Sequence, residues 1–215
     1  MKKLQIAVLG SSKAICTKKA YDMAEEVGEL LAKENCITIT GGGMGVMEAA
    51  LKGAKKFGGL TVGIIPWENI KKVNKYSDVT IATGIGWSRD AINVNSCDGA
   101  IVVHGGAGTL NEVTYGYIRE TPTVAIKSSG GMAEKIAGTH LDMRKTNRII
   151  SAKDPIDAVK KILKIIKEKN INKDFLSAFD KDLEQLDDKK DWEDIIKRAK
   201  KELKKFSKKE NSAKK

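Results

Sequence analysis

A chain of 215 residues, 41% hydrophobic and 31% charged, has the make-up of one well-buried α/β domain with a segment left over, and a second full domain is excluded as an expectation. No apolar run reaches the roughly 18 residues of a membrane span, and the start MKKLQIAVLG lacks a secretory cleavage site, so a first strand and a cytoplasmic protein are expected. The formal net charge of +11 is unevenly placed, with nine acids against three bases in residues 174–194 and ten bases against two acids in residues 195–215. Such blocks are solvated or weakly interacting surfaces more often than dedicated nucleic-acid sites, and the 5% of aromatic residues rarely interleave with the basic ones.

In chain order, an apolar run at 4–9 predicts a strand ending in Gly10-Ser11-Ser12, and the spacing of Ala20, Met23, Ala24, Val27, Leu30 and Leu31 predicts a helix over about 17–34. Residues 36–40 are a second strand ending in Gly41-Gly42-Gly43, followed by a helix over 46–57 and a third strand over 60–65 stopped by Pro66. Beyond a loop rich in Lys and Asn, strands are expected at 79–82, 100–103 and 123–126, with helices at 87–96 and 109–119 between them. A loop with a short helix at 128–138, an edge strand at 148–150 and a helix over 155–169 with Pro155 in its first turn complete the pattern. Alternation of this kind predicts βαβ units in a doubly wound, mostly parallel, Rossmann-like sheet over residues 1–170, with residues 171–215 as a charged helical tail. Trp192, Ile195, Ile196, Ala199, Leu203 and Phe206 in that tail fall at helical spacing.

Ligands of an open parallel sheet bind beyond the carboxyl ends of its strands. Four Gly- or Ser-rich turns are expected there: 10–12, 41–45, 83–86 and 105–109. One such turn is explained by chain reversal alone; four at one edge point to a phosphate-bearing ligand, held by backbone N–H groups that glycine leaves uncovered. Neither GGGMGVME nor GGAGTLNE carries the GK[ST] of a P-loop or a GxGxxG followed by a distant acid, so ATP hydrolysis and hydride transfer lose support. Only His104 and His140 are present, without HExxH, and Cys16, Cys36 and Cys97 are too widely spaced for a zinc site, so no metal ligands are assigned and the cysteines are read as small buried hydrophobes.

The strings GGGMGVMEAA and GGAGTLNE, separated by a segment in which Arg89 lies nine residues before Asp98, resemble the LONELY GUY (LOG) family over about residues 1–169. Its wider superfamily includes cytokinin-activating phosphoribohydrolases, molybdenum cofactor carriers and, more remotely, the DprA DNA-processing proteins. The resemblance implies that Glu112 and Arg89 carry the chemistry, cleavage of the N-glycosidic bond of a nucleoside 5′-monophosphate. A carboxylate there would stabilise positive charge developing on the ribose or activate water. It further implies phosphate binding by Gly105, Gly106, Gly108 and Thr109; by their place at the strand ends, Gly10, Ser11, Ser12, Gly42, Gly43 and Gly45 are expected to bind the ligand or its phosphate as well.

Three positions depart from the hydrolase pattern. His104 stands where the hydrolases have Pro, Asp90 follows the arginine in place of Lys, and Asn93 replaces a Met. The segment RDAINVNSCDGAIVVHGGAGTLNE is closer to the carrier branch, so binding of a nucleotide monophosphate or molybdenum cofactor is favoured over hydrolysis. His104 and Asp98 are expected to serve structure. A homodimer or higher homo-oligomer is implied, and nucleic-acid binding is the least supported reading.

Overall fold

The computed structural model describes residues 2–183. Seven strands form one sheet in the order β4-β3-β2-β1-β5-β6-β7, and every neighbouring pair is parallel. The strands are β1 (Gln5–Gly10), β2 (Ile37–Thr40), β3 (Thr61–Ile65), β4 (Val79–Ala82), β5 (Gly99–Val103), β6 (Thr123–Ile126) and β7 (Ile150–Ala152). Between them run α1 (Lys18–Lys33), α2 (Val46–Lys56), α3 (Arg89–Asn95), α4 (Ala107–Ile118), α5 (Gly131–Ile136) and α6 (Pro155–Leu183). The order reverses between β1 and β5, where the chain stops building outward to β4 and returns to build toward β7; this is the switch point at which the loops diverge and leave a crevice.

Alternation along the strands sorts the core into two layers. Ile6, Val8, Ile101, Val103, Val124 and Ile126 face α1, α2 and α6, whereas Ala7, Leu9, Ala100, Val102 and Ala125 face α3, α4 and α5. Helix α1 begins at Thr17, whose hydroxyl accepts from the Ala20 N–H at 3.1 Å, so its polar start is capped before the apolar stripe Ala20, Ala24, Val27 and Leu31 turns to the sheet. Asp98, expected to serve structure, joins β1 to β5 by accepting from the Gln5 N–H at 2.9 Å.

Four boundaries depart from the sequence reading. The helix expected over 87–96 is a 3₁₀ turn at Gly86–Ser88 that hands over to α3 at Arg89. Helix α4 begins two residues earlier than expected, because Gly106 serves as its N-cap. The edge strand expected at 148–150 is Ile150–Ala152, since the Ile149 N–H donates to the Thr139 carbonyl and its carbonyl accepts from the Gly138 N–H, away from β6. Helix α6 continues to Leu183, beyond the stretch expected to end at Lys169.

Contacts divide the chain into one unit of Met1–Lys169 and another of Asn170–Lys215. The amphipathic stretch expected at 192–206 lies outside the described residues. Among the described residues no helix is long and apolar enough to cross a membrane.

Candidate functional site

Three of the four glycine turns flank the switch point, at the carboxyl ends of β1, β2 and β5. The fourth, at 83–86, follows the edge strand β4, three strands away from β1. Its Gly84 and Gly86, at φ 66 and 59, instead turn the chain back so that α3 delivers Arg89 to the end of β2.

The turns differ in what their glycines do. A Cβ on Gly10 would run into Val46 and the Val103 carbonyl, and one on Gly45 (φ 84) would lie 2.6 Å from the Ser11 carbonyl oxygen and 2.8 Å from the Lys13 nitrogen. These two glycines lock the β1 and β2 turns together, and the first N–H of α2, from Val46, is already donated to the Ser11 carbonyl at 3.0 Å. The second turn is held from outside by Asn74, whose Nδ2 donates to the carbonyls of Gly42 and Gly43 at 3.1 and 2.9 Å. Ser11 is buried with its hydroxyl unpartnered, while Ser12 is exposed.

At the end of β5 the arrangement is more open. Helix α4 has no side-chain cap, and Leu110 is the first of its residues to bond back, to the Gly106 carbonyl at 3.0 Å. The N–H groups of Ala107, Gly108 and Thr109 therefore form a helix start with positive character and no internal partner. A Cβ on Gly108 would have nothing within 4 Å, whereas one on Gly105 (φ 101) would lie 2.5 Å from the hydroxyl of the buried Thr109.

One turn into α4 lies Glu112, 7% exposed. It is part of a buried polar cluster supplied by α3 and α4. Asn93 Nδ2 donates to Glu112 Oε1 at 2.7 Å, and Arg89 Nη1 lies 3.7 Å from the same oxygen and 3.4 Å from Asp90 Oδ1. Asn111 Nδ2 donates to Asp90 Oδ2 at 3.1 Å. The guanidinium also lies directly over Gly41, where any Cβ would collide with it, so the cluster spans from the end of β2 to the start of α4. Burial pushes the Glu112 carboxyl up to about 7; the Asn93 hydrogen bond opposes this, the Asp90 charge adds to it and Arg89 offsets part. Arg89 Nε and Asn93 Oδ1 are buried there without a hydrogen-bond partner.

The structure thus brings Arg89 and Glu112 together, as expected, beside the glycines of the third turn. Asp90 and Asn93, met in the sequence only as departures from a pattern, belong to the same cluster. The signal was available: Arg89 and Asn93 are four apart on one helix and so share a face. His104 adopts φ 56, donates its N–H to Ser129 Oγ at 2.7 Å and packs its ring beside Gly130 and Gly131, with Nδ1 buried and unpartnered. A proline, with φ fixed near −65°, could not take that conformation.

A doubly wound parallel sheet with glycine turns and an uncapped helix start at its switch point defines a Rossmann-like protein of the nucleotide- and phosphate-binding class. Residues 3–159 match the model of the SLOG cluster4 family, and the chain belongs to that family. It is 44% identical over 113 residues to an uncharacterized protein of Archaeoglobus fulgidus, covering 53% of this chain and 73% of that one. It is 33% identical over 118 residues to the cytokinin riboside 5′-monophosphate phosphoribohydrolase of Mycobacterium tuberculosis, covering 51% of this chain and 63% of the relative. Among solved structures, the molybdenum cofactor binding protein of Rippkaea orientalis superposes with a TM-score of 0.69 at 33% identity, over 77% of this chain and 99% of that one.

Proposed function

We propose that the protein binds a phosphorylated small molecule, a nucleotide monophosphate or a phosphorylated pterin such as the molybdenum cofactor, and holds it as cargo. The observation that carries this reading is the uncapped start of α4, open at Gly108, one turn from the buried Arg89–Glu112 cluster. The N–H groups of residues 107–109 receive the phosphate. Arg89 Nε and Asn93 Oδ1, buried and unpaired, leave one donor and one acceptor for the ligand's polar edge. The φ of His104 gives the β5 turn a course that a proline-bearing hydrolase turn cannot follow, which supports binding over cleavage. Protein purified from its own cells should release a phosphate-bearing molecule on denaturation, read by mass spectrometry. Failure of phosphorylated molecules both to copurify and to raise the melting temperature would overturn the reading.

A second reading, hydrolysis of the N-glycosidic bond of a nucleoside 5′-monophosphate, is favoured by the Glu112 carboxyl lying at about 7, where it can give or take a proton near neutrality. Incubation with a panel of nucleoside monophosphates would release free base, and Glu112→Gln would abolish the release. No base above background from any member removes this reading. Assembly as a homo-oligomer, supported by the exposed Trp87, Tyr115 and Ile118 and by the family resemblance, is read by light scattering after size-exclusion chromatography, where a monomer mass refutes it.

A further inference from the structure

Two carboxylates and one guanidinium share the buried cluster. Arg89, Asp90 and Glu112 are 6%, 4% and 7% exposed. If both acids were ionised, one positive charge would face two negative ones out of reach of water, an arrangement whose desolvation cost is not repaid. A proton on Glu112 relieves this, and the contacts favour that placement. Asp90 has the shorter approach to Arg89 Nη1, 3.4 Å against 3.7 Å for Glu112, and an added neutral donor in Asn111 at 3.1 Å. Aspartate is also the intrinsically stronger acid. Glu112 is left with the neutral amide of Asn93 at 2.7 Å.

We propose that Asp90 is a positioning residue that holds Arg89 in a closed ion pair and thereby presents Glu112 to the ligand as a hydrogen-bond donor. Arg89 and Asp90, both from α3, are the charged groups that act on Glu112. From the β2 turn, Gly41 meets the guanidinium and brings no charge, and Met47 of α2, beside the same Gly41, is neutral too. The ring of His104 packs toward Gly130 and Gly131 at the start of α5. The group recognised is accordingly an acceptor, such as a ring nitrogen or carbonyl of a heterocycle, rather than the hydroxyl hydrogens that a carboxylate would draw. Without Asp90, Arg89 would turn its full charge on Glu112 and restore a carboxylate, the form suited to a cationic ribose transition state.

This inference rests on the proposed binding function for its consequence but is tested first without ligand. In protein carrying carbon-13-labelled glutamate, the δ-carboxyl resonance absent from Glu112→Gln is followed against pH. Its midpoint in the wild type is expected near 7, and in Asp90→Asn about one pH unit or more lower. Asn111→Ala, on an exposed position of α4, loosens Asp90 with less risk to folding and should move the midpoint the same way by a smaller amount. A purely structural role for Asp90 lowers the melting temperature but leaves the midpoint in place, and an unmoved midpoint in whichever variants fold overturns the proposal. Affinity for adenosine 5′-monophosphate, the probe, is then measured from pH 5 to 9. The pH at which binding weakens should drop in Asp90→Asn along with the midpoint. A moved midpoint without any binding of the probe supports the role of Asp90 and counts against adenosine 5′-monophosphate as the ligand.

Discussion

The guanidinium of Arg89 rests against the backbone of Gly41, on the space a Cβ would occupy. Arg89 lies at the start of α3 and Gly41 at the end of β2, so a side chain from the crossover between β4 and β5 is seated on the β2 turn. The seat also explains why the second turn carries glycine at a position where no left-handed conformation demands it: the reason is space.

Gly41→Ala should consequently displace Arg89. A methyl group would also lie 2.9 Å from Met47 Sδ, so overpacking is expected to cost about 1–3 kcal/mol, read by chemical denaturation. Binding of a nucleotide monophosphate should weaken at least tenfold if the guanidinium takes part.

Gly108→Ala separates folding from binding. Its Cβ meets nothing within 4 Å, and alanine is the better helix former, so stability should rise by about 0.5–1 kcal/mol. If a phosphate approaches the backbone of residues 107–109, the same variant should bind it less tightly. A stabilised variant with unchanged affinity would place the anion elsewhere.

Glu112 makes stability depend on pH. Its folded carboxyl titrates at about 7, against an unfolded value of about 4.3. The folded state holds the proton more tightly between these values, so the stabilisation is complete below the lower one and is lost as pH rises through the upper one. The difference across that window is about 4 kcal/mol. Denaturation of the wild type from pH 4 to 8 should show this decline, and Glu112→Gln should show one smaller by that amount.

Asn93→Asp replaces the neutral donor that faces Glu112 Oε1 at 2.7 Å by a third acid in the cluster. Above pH 7 the new carboxylate and Glu112 would join Asp90 beside a single arginine, and the loss should reach about 3 kcal/mol or more at pH 8. At pH 5 the two carboxyls can share protons, and the loss should be smaller. Equal losses at both pH values would contradict the contact.

Periodicity and punctuation determined most of the fold from the sequence alone. The run Ala100–Val103, short, β-branched and followed by Gly105, reads as a buried strand, and Val27, Leu30 and Leu31 fall on one face of a helix by their spacing. Gly105 to Glu112 was legible as a strand end opening into a helix for the same reason, and Arg89 and Glu112 were paired through the resemblance. The meaning of the individual glycines was not legible. Gly10 and Gly45 lock two turns together, Gly84 and Gly86 redirect the chain from the sheet edge, and Gly108 is open to a ligand, yet all share one letter. Only the tertiary structure distinguishes them, since a glycine is used for what its missing side chain would have struck. Likewise Asp90 and Asn93 read as substitutions in a pattern until α3 and α4 bring them to one guanidinium and one carboxyl. The proton on Glu112 is decided there, by burial and by the count of charges within a few ångströms, and neither is written along the chain.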